Sequence, residues 1–216
     1  RLLVSDMDST IIGQECVDEI AECAGVGSEV AAITERAMAG ELNFRAALAE
    51  RVGLLKGLDE AALDRVMAEK ITLNPGATTL VATMRQHGAF TLLVSGGFTF
   101  CASEIAERAG FDDFAANRLI VEDGKLAGRV AEPILGREAK LAHLLAACQR
   151  LAIEPADVLG LGDGANDLAL IENAGLGVAY RAKPILADHA DGRIDHTDFT
   201  AALYFQGYRR ADFAGF

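Results

Sequence analysis

The sequence predicts an α/β protein whose core is a doubly wound parallel sheet, with an inserted helical cap and a small β-hairpin. Short apolar runs, typical of strands that are buried on both faces, alternate with segments of helical spacing. A block of helical patterns interrupts this alternation after the first strand, and an Asp-Gly pair between two apolar runs indicates the hairpin. Strands that alternate with helices form a parallel sheet that is covered by helices on both faces.

The predicted strands share one design, an apolar run that ends in a polar or glycine-rich loop. The first strand covers residues 2–4 and precedes Asp6, while the strand at 91–94 ends in Ser95-Gly96-Gly97. The other core elements are predicted at 158–161 and 176–179 for strands, at 75–87, 99–109 and 137–151 for helices, and at 119–126 for the hairpin. We expect the last residues, 195–216, to form a final helix and a tail.

Residues 14–71 break the alternation of strands and helices. They contain four successive helical patterns, around 15–24, 28–39, 43–55 and 59–70, with no convincing strand. Because this block follows the loop after the first strand, it can lie above that strand's carboxyl end as a lid. We therefore expect a core formed by residues 1–13 and 72–216 and a helical cap formed by residues 14–71.

Composition and charge exclude several classes of function. Of the 216 residues, 51% are hydrophobic and 24% are charged, which is typical of a globular protein. The net charge of −12, without a cluster of basic residues, disfavours a nucleic-acid partner because a phosphate backbone would be repelled. No apolar stretch approaches the ~20 residues that span a bilayer, and the chain does not open like a signal peptide. We expect a cytoplasmic protein without a membrane partner, and both a monomer and a homodimer remain open.

Cysteine and histidine spacing gives no indication of a zinc site. The four cysteines, Cys16, Cys23, Cys101 and Cys148, contain no C-x-x-C pair and are too few for a disulfide framework in a chain of this length. We expect them to be reduced core thiols. The four histidines are scattered without the spacing of paired metal ligands.

Acidic and polar residues follow the predicted strands. In open parallel sheets, ligands bind beyond the carboxyl ends of the strands, which is where Asp6, Asp8, Ser95, Asp163 and Asp167 would lie. Carboxylates gathered at one edge repel each other unless a cation compensates them. Mg²⁺ prefers such oxygen ligands. A carboxylate, a metal and a polar loop together indicate phosphoryl transfer through an aspartyl phosphate.

Four segments resemble, in order, the motifs of the haloacid dehalogenase superfamily. They are Asp6-Met7-Asp8-Ser9-Thr10, Ser95-Gly96-Gly97, Lys140, and Gly162-Asp163-Gly164-Ala165-Asn166-Asp167. The resemblance covers nearly the whole chain. Within the cap, residues 15–19 and 44–52 resemble the phosphoserine phosphatase family.

The resemblance implies roles for the acidic residues. Asp6 would be the nucleophile that attacks phosphorus, and Asp8 would protonate the departing alcohol and then activate water. Such an acid is useful because an alkoxide is a poor leaving group. The ligands of Mg²⁺ would be Asp6, Asp163 and the backbone carbonyl of Asp8, with Asp167 in a supporting position.

The resemblance also implies how the phosphate group is bound. Ser95 and the backbone amides of Gly96 and Gly97 would hold its oxygens, because glycine lets the backbone approach an anion closely. Lys140 would neutralise the charge that moves between the phosphoryl group and Asp6. Asn166 would orient water, ligands or phosphate.

Substrate recognition would come from the cap. Phosphoserine carries an ammonium and a carboxylate beside its phosphate, and the family-matching positions hold Glu15 for the ammonium and Arg51 for the carboxylate. Met38 and Phe44 would form an apolar wall. The implied activity is hydrolysis of the small molecule O-phospho-L-serine to L-serine and phosphate, the last step of serine biosynthesis.

These motifs are also compatible with other interpretations. The Asp pair at 6 and 8 is also compatible with capping of a turn or helix. Residues 160–165 fit a dinucleotide-binding fingerprint, but Asp163 would face the pyrophosphate uncompensated and the next strand ends without an acidic residue. Two functional alternatives stay open: a related phosphomonoesterase or phosphotransferase acting on another small metabolite, and a phosphoacceptor signalling module.

Overall fold

The core of the protein is a single parallel sheet. The computed structural model describes residues 1–38 and 41–215, with only the backbone described at Met38. In chain order the strands are β1 (Leu2–Ser5), β2 (Phe90–Phe98), β3 (Asp113–Asn117), β4 (Leu119–Glu122), β5 (Lys125–Val130), β6 (Val158–Gly162), β7 (Leu176–Tyr180) and β8 (Gly192–Ile194). Six of them form a sheet in the order β3-β2-β1-β6-β7-β8, and every pairing in it is parallel. The predicted fold class is confirmed.

Helices connect the strands and cover the sheet. They are α1 (Cys16–Ala24), α2 (Gly27–Met38), α3 (Phe44–Leu54), α4 (Ala61–Glu69), α5 (Ala77–Gln86), α6 (Thr99–Ala109), α7 (Arg137–Leu151), α8 (Leu168–Asn173), α9 (Pro184–Ala187) and α10 (Thr200–Phe205). The first four lie between β1 and β2, in the segment 14–71 that we call the cap. The division of the chain into a core and a cap domain stays a prediction. Among the described residues, no helix has both the length and the apolar character needed to cross a bilayer.

The sheet is buried on both faces. Leu3 belongs to one apolar cluster, whereas its neighbours Leu2 and Val4 belong to another, because successive side chains of a strand point to opposite faces. The cluster that contains Leu3 also includes Leu48 and Val52 of α3. The cap and the core therefore share one continuous set of buried side chains.

The predicted hairpin is present as β4 and β5, which pair in antiparallel fashion. Asp123 and Gly124 at its tip have φ angles of 50° and 74°. These left-handed values are typical of the tight two-residue turns that match the twist of the strands. The hairpin also bonds to the segment between α3 and α4, since the Gly57 amide donates to the Leu126 carbonyl at 2.8 Å.

Two expectations from the sequence are wrong. Ser95, Gly96 and Gly97 lie inside β2 rather than in a loop after it, because the strand stays extended through a shift of register between Val94 and Phe98 where it pairs with β3. We call residues 95–97 the phosphate segment, after the role that the sequence predicts for them.

The cysteines are also not four reduced core thiols. Cys16 and Cys101 form a disulfide between α1 and α6 across 85 residues of sequence. Cys23 is exposed, and Cys148 is a buried free thiol. The topology places the start of α1 against α6, and neither residue's sequence neighbourhood contains that information.

Candidate active site

The carboxyl edge of the sheet gathers the acidic residues that the sequence singled out. Asp6 directly follows β1, and Asp163 directly follows β6, which is paired with β1. One carboxylate oxygen from each of Asp6, Asp163 and Asp167 lies within 4.8 Å of the others. Asp6 and Asp163, 157 positions apart along the chain, therefore meet because parallel strands end at the same edge.

Asp6 is held in one orientation by its neighbours. Its backbone amide continues the pairing of β1 with β6 by donating to the Leu161 carbonyl at 3.0 Å. The Met7 amide donates to Asp6 Oδ1 at 2.7 Å. Asp6 Oδ2 lies 2.8 Å from Lys140 Nζ and accepts a longer bond of 3.4 Å from Asn166 Nδ2. One oxygen of this carboxylate is fixed by a backbone amide, and the other is fixed by the Lys140 ammonium and the side-chain amide of Asn166.

Lys140 is a buried ammonium between two carboxylates. Only 2% of its surface is exposed, and Nζ lies 2.5 Å from Asp167 Oδ1 as well as 2.8 Å from Asp6 Oδ2. Burial alone would lower the pKa of Lys140, but the charges of Asp6 and Asp167 outweigh it and raise the pKa above its ordinary value. The lysine therefore stays charged and links Asp6, in the first of the four motifs, to Asp167, in the last.

Asp8 lies in an environment that keeps its carboxyl protonated. Loss of solvent, and then the charge of Glu15, raise its pKa to about 8. The Cys16 amide donates to Asp8 Oδ1 at 2.8 Å, and the Ser95 hydroxyl donates to Oδ2 at 3.0 Å. The side chain thus points toward the phosphate segment and lies outside the three-carboxylate cluster. At neutral pH it carries a proton that it can donate.

The remaining two carboxylates are also shifted. Burial and the charge of Asp6 raise the pKa of Asp163 to about 6, and the same causes raise that of Asp167 to about 7 in spite of Lys140. Asp167 is fully buried, and its second oxygen accepts from the amides of Asp163 and Gly164 at 3.3 and 3.2 Å. Thr10 donates its hydroxyl to Asp163 at 3.1 Å. The cluster carries more negative charge than Lys140 alone compensates.

Glycine in the phosphate segment makes room for the side chain of Asp8. A Cβ atom at Gly97 would lie 2.7 Å from Asp8 Oδ2, closer than nonbonded atoms tolerate. The Gly97 amide donates to Ser95 Oγ at 2.8 Å. The hydroxyl of Ser95 therefore connects the backbone of this segment to Asp8.

Cap and core together enclose a cleft of about 340 Å³ above these residues. The core contributes Asp6, Asp8, Gly96, Gly97, Phe98, Asp163, Gly164, Asn166 and Lys183, and the cap contributes Glu15, Val17, Asp18, Thr34, Phe44, Leu48 and Arg51. The structure therefore brings the predicted cap residues Glu15, Phe44 and Arg51 to the same cleft as the acidic motifs. The side chain of Met38 lies outside the described part of the chain.

Glu15 and Arg51 carry opposite charges on the cap wall. Glu15 accepts a hydrogen bond of 2.7 Å from the Ser9 hydroxyl, and its partial removal from bulk water inside the cleft raises its pKa. Burial lowers the pKa of Arg51, whose Nε donates to the Ala47 carbonyl at 3.3 Å. Asp18, which also lines the cleft, favours the charged guanidinium. The wall can bind a zwitterionic group.

Sequence reasoning missed some of the lining residues. Lys183 follows β7, so the rule that located Asp163 after β6 would have found it as well. Val17 and Asp18 lie within the cap segment that resembles known phosphatases, but no chemical motif distinguishes them. Thr34 and Leu48 face the cleft only because of how the cap helices pack.

A family model described as haloacid dehalogenase-like hydrolase matches residues 3–172. The chain belongs to this family. The matched range of this haloacid dehalogenase-like hydrolase contains the whole of the acidic cluster, Lys140 and the phosphate segment.

Relatives named phosphoserine phosphatase are similar along most of the chain. The protein from Polaromonas sp. is 46% identical over 195 residues, which cover 88% of this chain and 83% of the relative. The protein from Streptococcus thermophilus is 45% identical over 197 residues and is covered to 91%, as is this chain. A relative from Archaeoglobus fulgidus is 44% identical over 194 residues, and the chain spans 56% of its length.

Solved structures of phosphoserine phosphatases have the same fold. One is described as a phospho-aspartyl intermediate analogue and another as a substrate-bound complex. Each has a TM-score of 0.88 and 40% sequence identity, over 95% of this chain and 98% or 97% of the other. At this identity and coverage, the likeness extends from the sheet to the cap.

Proposed function

We propose that this chain is a Mg²⁺-dependent phosphoserine phosphatase that hydrolyses O-phospho-L-serine to L-serine and phosphate through an aspartyl phosphate. The observation that carries the proposal is one cleft with two chemically different walls. The core wall presents Asp6 beside the buried Lys140, with a protonated Asp8. The cap wall presents Glu15 and Arg51. The names of the relatives support the same substrate.

The donor set fits a magnesium ion. Asp6, Asp163 and Asp167 offer three hard oxygen donors within 4.8 Å of one another. Burial, and then the charge of Asp6, raise the pKa values of Asp163 and Asp167, and a divalent cation would relieve the repulsion among the three carboxylates. Asp6 and Asp163 would hold the ion with the backbone carbonyl of Asp8, and Asp167 would support them. When bound, the ion supplies charge neutralisation for the phosphoryl oxygens.

The first chemical step transfers the phosphoryl group to the enzyme. A carboxylate oxygen of Asp6 forms a bond to phosphorus as the bond between phosphorus and the serine oxygen breaks. Asp8 gives its proton to that oxygen, so serine leaves as an alcohol. Lys140, fixed 2.8 Å from Asp6 Oδ2, stays charged and compensates the negative charge at the reacting oxygens.

The second step regenerates the carboxylate. Asp8, now ionised, accepts a proton from water, whose oxygen attacks the phosphorus of the aspartyl phosphate. Phosphate leaves and Asp6 is restored. The Ser95 hydroxyl, the amides of Gly96 and Gly97 and the amide of Asn166 orient the phosphate oxygens during both steps.

Recognition of the amino acid is assigned to the cap. Arg51 binds the carboxylate and Glu15 binds the ammonium, while Phe44 forms the apolar wall. The reaction is the last step of serine biosynthesis, and we place it in the cytoplasm. The cap, residues 14–71, acts as a separate unit that excludes bulk water until the acyl phosphate has formed.

Phosphate release from phosphoserine, phosphothreonine and phosphohomoserine tests this assignment, with and without a chelator. We expect the highest kcat/KM for phosphoserine and loss of activity in the chelator. Equal rates on the three substrates would indicate a less specific phosphomonoesterase. Stoichiometric phosphorylation of the chain without sustained phosphate release would indicate a phosphoacceptor module.

A further inference from the structure

Asn117, the last residue of β3, carries a buried amide whose hydrogen bonds join two separate parts of the active site. Its side chain is 2% exposed and does not line the cleft. Nδ2 donates to the Gly96 carbonyl at 2.8 Å and to the Leu135 carbonyl at 3.0 Å. Oδ1 accepts from the Leu135 amide at 2.7 Å. A buried amide with this many partners has one allowed orientation.

The first of these bonds supports the phosphate segment. Between Val94 and Phe98 the register of β2 against β3 shifts, so residues 95–97 leave the regular pairing of the two strands. The side chain of Asn117 bonds the Gly96 carbonyl at this irregularity. It therefore fixes the backbone whose amides are assigned to the phosphate oxygens.

The other two bonds fix the chain just before α7. Leu135 is followed by Gly136, the residue that precedes the first turn of α7, and Lys140 lies in the same part of this helix. Because Asn117 bonds both the amide and the carbonyl of Leu135, it sets where α7 begins. One side chain thus spaces the phosphate segment relative to the helix that carries Lys140.

The same spacing forms a seat for a cap residue. A Cβ atom at Gly96 would lie 3.4 Å from Phe44 Cζ, and one at Gly136 would lie 3.4 Å from Phe44 Cδ1. The ring of Phe44 therefore lies against two glycines, one in each segment that Asn117 holds. Gly136 has an ordinary φ of −108°, and a Cβ there would only just touch the ring, so it is the branches of a bulkier side chain that would meet Phe44.

We propose that Asn117 is a positioning residue for phosphoryl transfer, and that Gly96 and Gly136, held apart by its side chain, form the docking seat of Phe44 on the core. This inference rests on the proposed function for its choice of substrate. The geometry couples the seating of the cap to the position of the phosphate segment, because both depend on the same three hydrogen bonds.

The variant Asn117→Asp tests the positioning role, since it keeps the shape and the acceptor but removes both donors. We expect kcat for phosphoserine and for p-nitrophenyl phosphate to fall together, by about 10²-fold for a displacement near 1 Å. We also expect weaker inhibition by inorganic phosphate. A purely structural role would lower the melting temperature and the active fraction, but leave KM and the inhibition constant of the folded enzyme unchanged. That second result would overturn the proposal.

Gly136→Val tests the seat even if Asn117→Asp does not fold. Its methyl groups would extend from a Cβ that already lies 3.4 Å from the Phe44 ring, and we expect hydrogen exchange of peptides covering residues 44–54 to accelerate about tenfold. The matched control is Gly53→Val on α3, an exposed position with no neighbouring heavy atom within 4 Å, where we expect no acceleration once the exchange is corrected for the intrinsic rates of the changed sequence. Equal exchange in the Gly136 variant and the wild type would overturn the seat.

These measurements separate the inference from the proposed function. A wild-type protein that hydrolyses p-nitrophenyl phosphate but not phosphoserine would refute the substrate assignment. The exchange data and the inhibition by inorganic phosphate would still decide the roles of Asn117 and Gly136.

Discussion

Replacement of Lys140 by Met tests whether this buried ammonium holds the charge of the site together. Lys140 and the side chain of Asp167 are almost completely buried, and 5% of the Asp6 side chain is exposed. Met has a similar volume and no charge. The variant therefore leaves two carboxylates near each other in a poorly solvated place, without the group that compensates them.

The expected loss depends on pH. Breaking a buried ion pair by removing one partner costs about 3–5 kcal/mol, because the other charge stays buried. The variant can limit this loss by protonating Asp167, whose pKa in the wild type is already raised to about 7. Relative to the wild type, this protonation costs nothing further at pH 5, where Asp167 already carries the proton, and about 1.4 kcal/mol at pH 8. We therefore expect a loss of at most about 3–5 kcal/mol at pH 8, and a loss about 1.4 kcal/mol smaller at pH 5.

Urea unfolding of the metal-free proteins at pH 5 and pH 8 measures both losses. The control is Lys183→Met, which removes an exposed lysine from the same cleft and should change the free energy of unfolding by less than about 0.5 kcal/mol. The direction of this pH dependence follows from the raised pKa of Asp167. Its protonated form is favoured in the folded state, so the variant recovers stability as the pH falls. An equal loss at the two pH values would refute this explanation.

Three further results are expected. First, kcat for phosphoserine should fall as the pH rises through about 8, because Asp8 donates its proton only below its raised pKa; a flat profile from pH 6 to 10 would contradict its role as the acid. Second, Arg51→Ala should raise KM for phosphoserine by about 10- to 100-fold, as expected for charged hydrogen bonds, and change that for p-nitrophenyl phosphate less than twofold; equal losses would remove its recognition role. Third, binding of Mg²⁺ near pH 6.5 should release about one proton, because the cation favours ionised Asp163 and Asp167; calorimetry in two buffers of different ionisation enthalpy measures it, and no release would exclude these ligands.

The sequence was sufficient to locate the acidic site because one topological rule applies to it. Parallel strands end at the same edge, so Asp6 and Asp163 were both expected there, and the structure adds that β1 and β6 are directly paired. Lys140 was located only by resemblance, since a lysine in the first turns of a helix is usually solvated. Its burial between two carboxylates is a property of the packed structure.

Features that depend on contacts between distant residues could not be predicted from the sequence. Asn117 acts through hydrogen bonds to residues 96 and 135, and nothing in its neighbourhood distinguishes it from an ordinary residue at the end of a strand. The disulfide between Cys16 and Cys101 joins elements that only the fold brings together. Such long-range contacts depend on how the cap helices and the sheet pack, which local sequence patterns do not encode.

The role of Asp6 as the nucleophile is tested most directly by acid quenching of the enzyme during turnover of phosphoserine with Mg²⁺, followed by mass spectrometry of its peptides. We predict one phosphoryl group on the peptide that contains Asp6 within the first turnover, and none in Asp6→Asn, which should also release no phosphate. Release of phosphate at the full rate with no phosphorylated Asp6 at any quench time, or sustained turnover by Asp6→Asn, would contradict the mechanism.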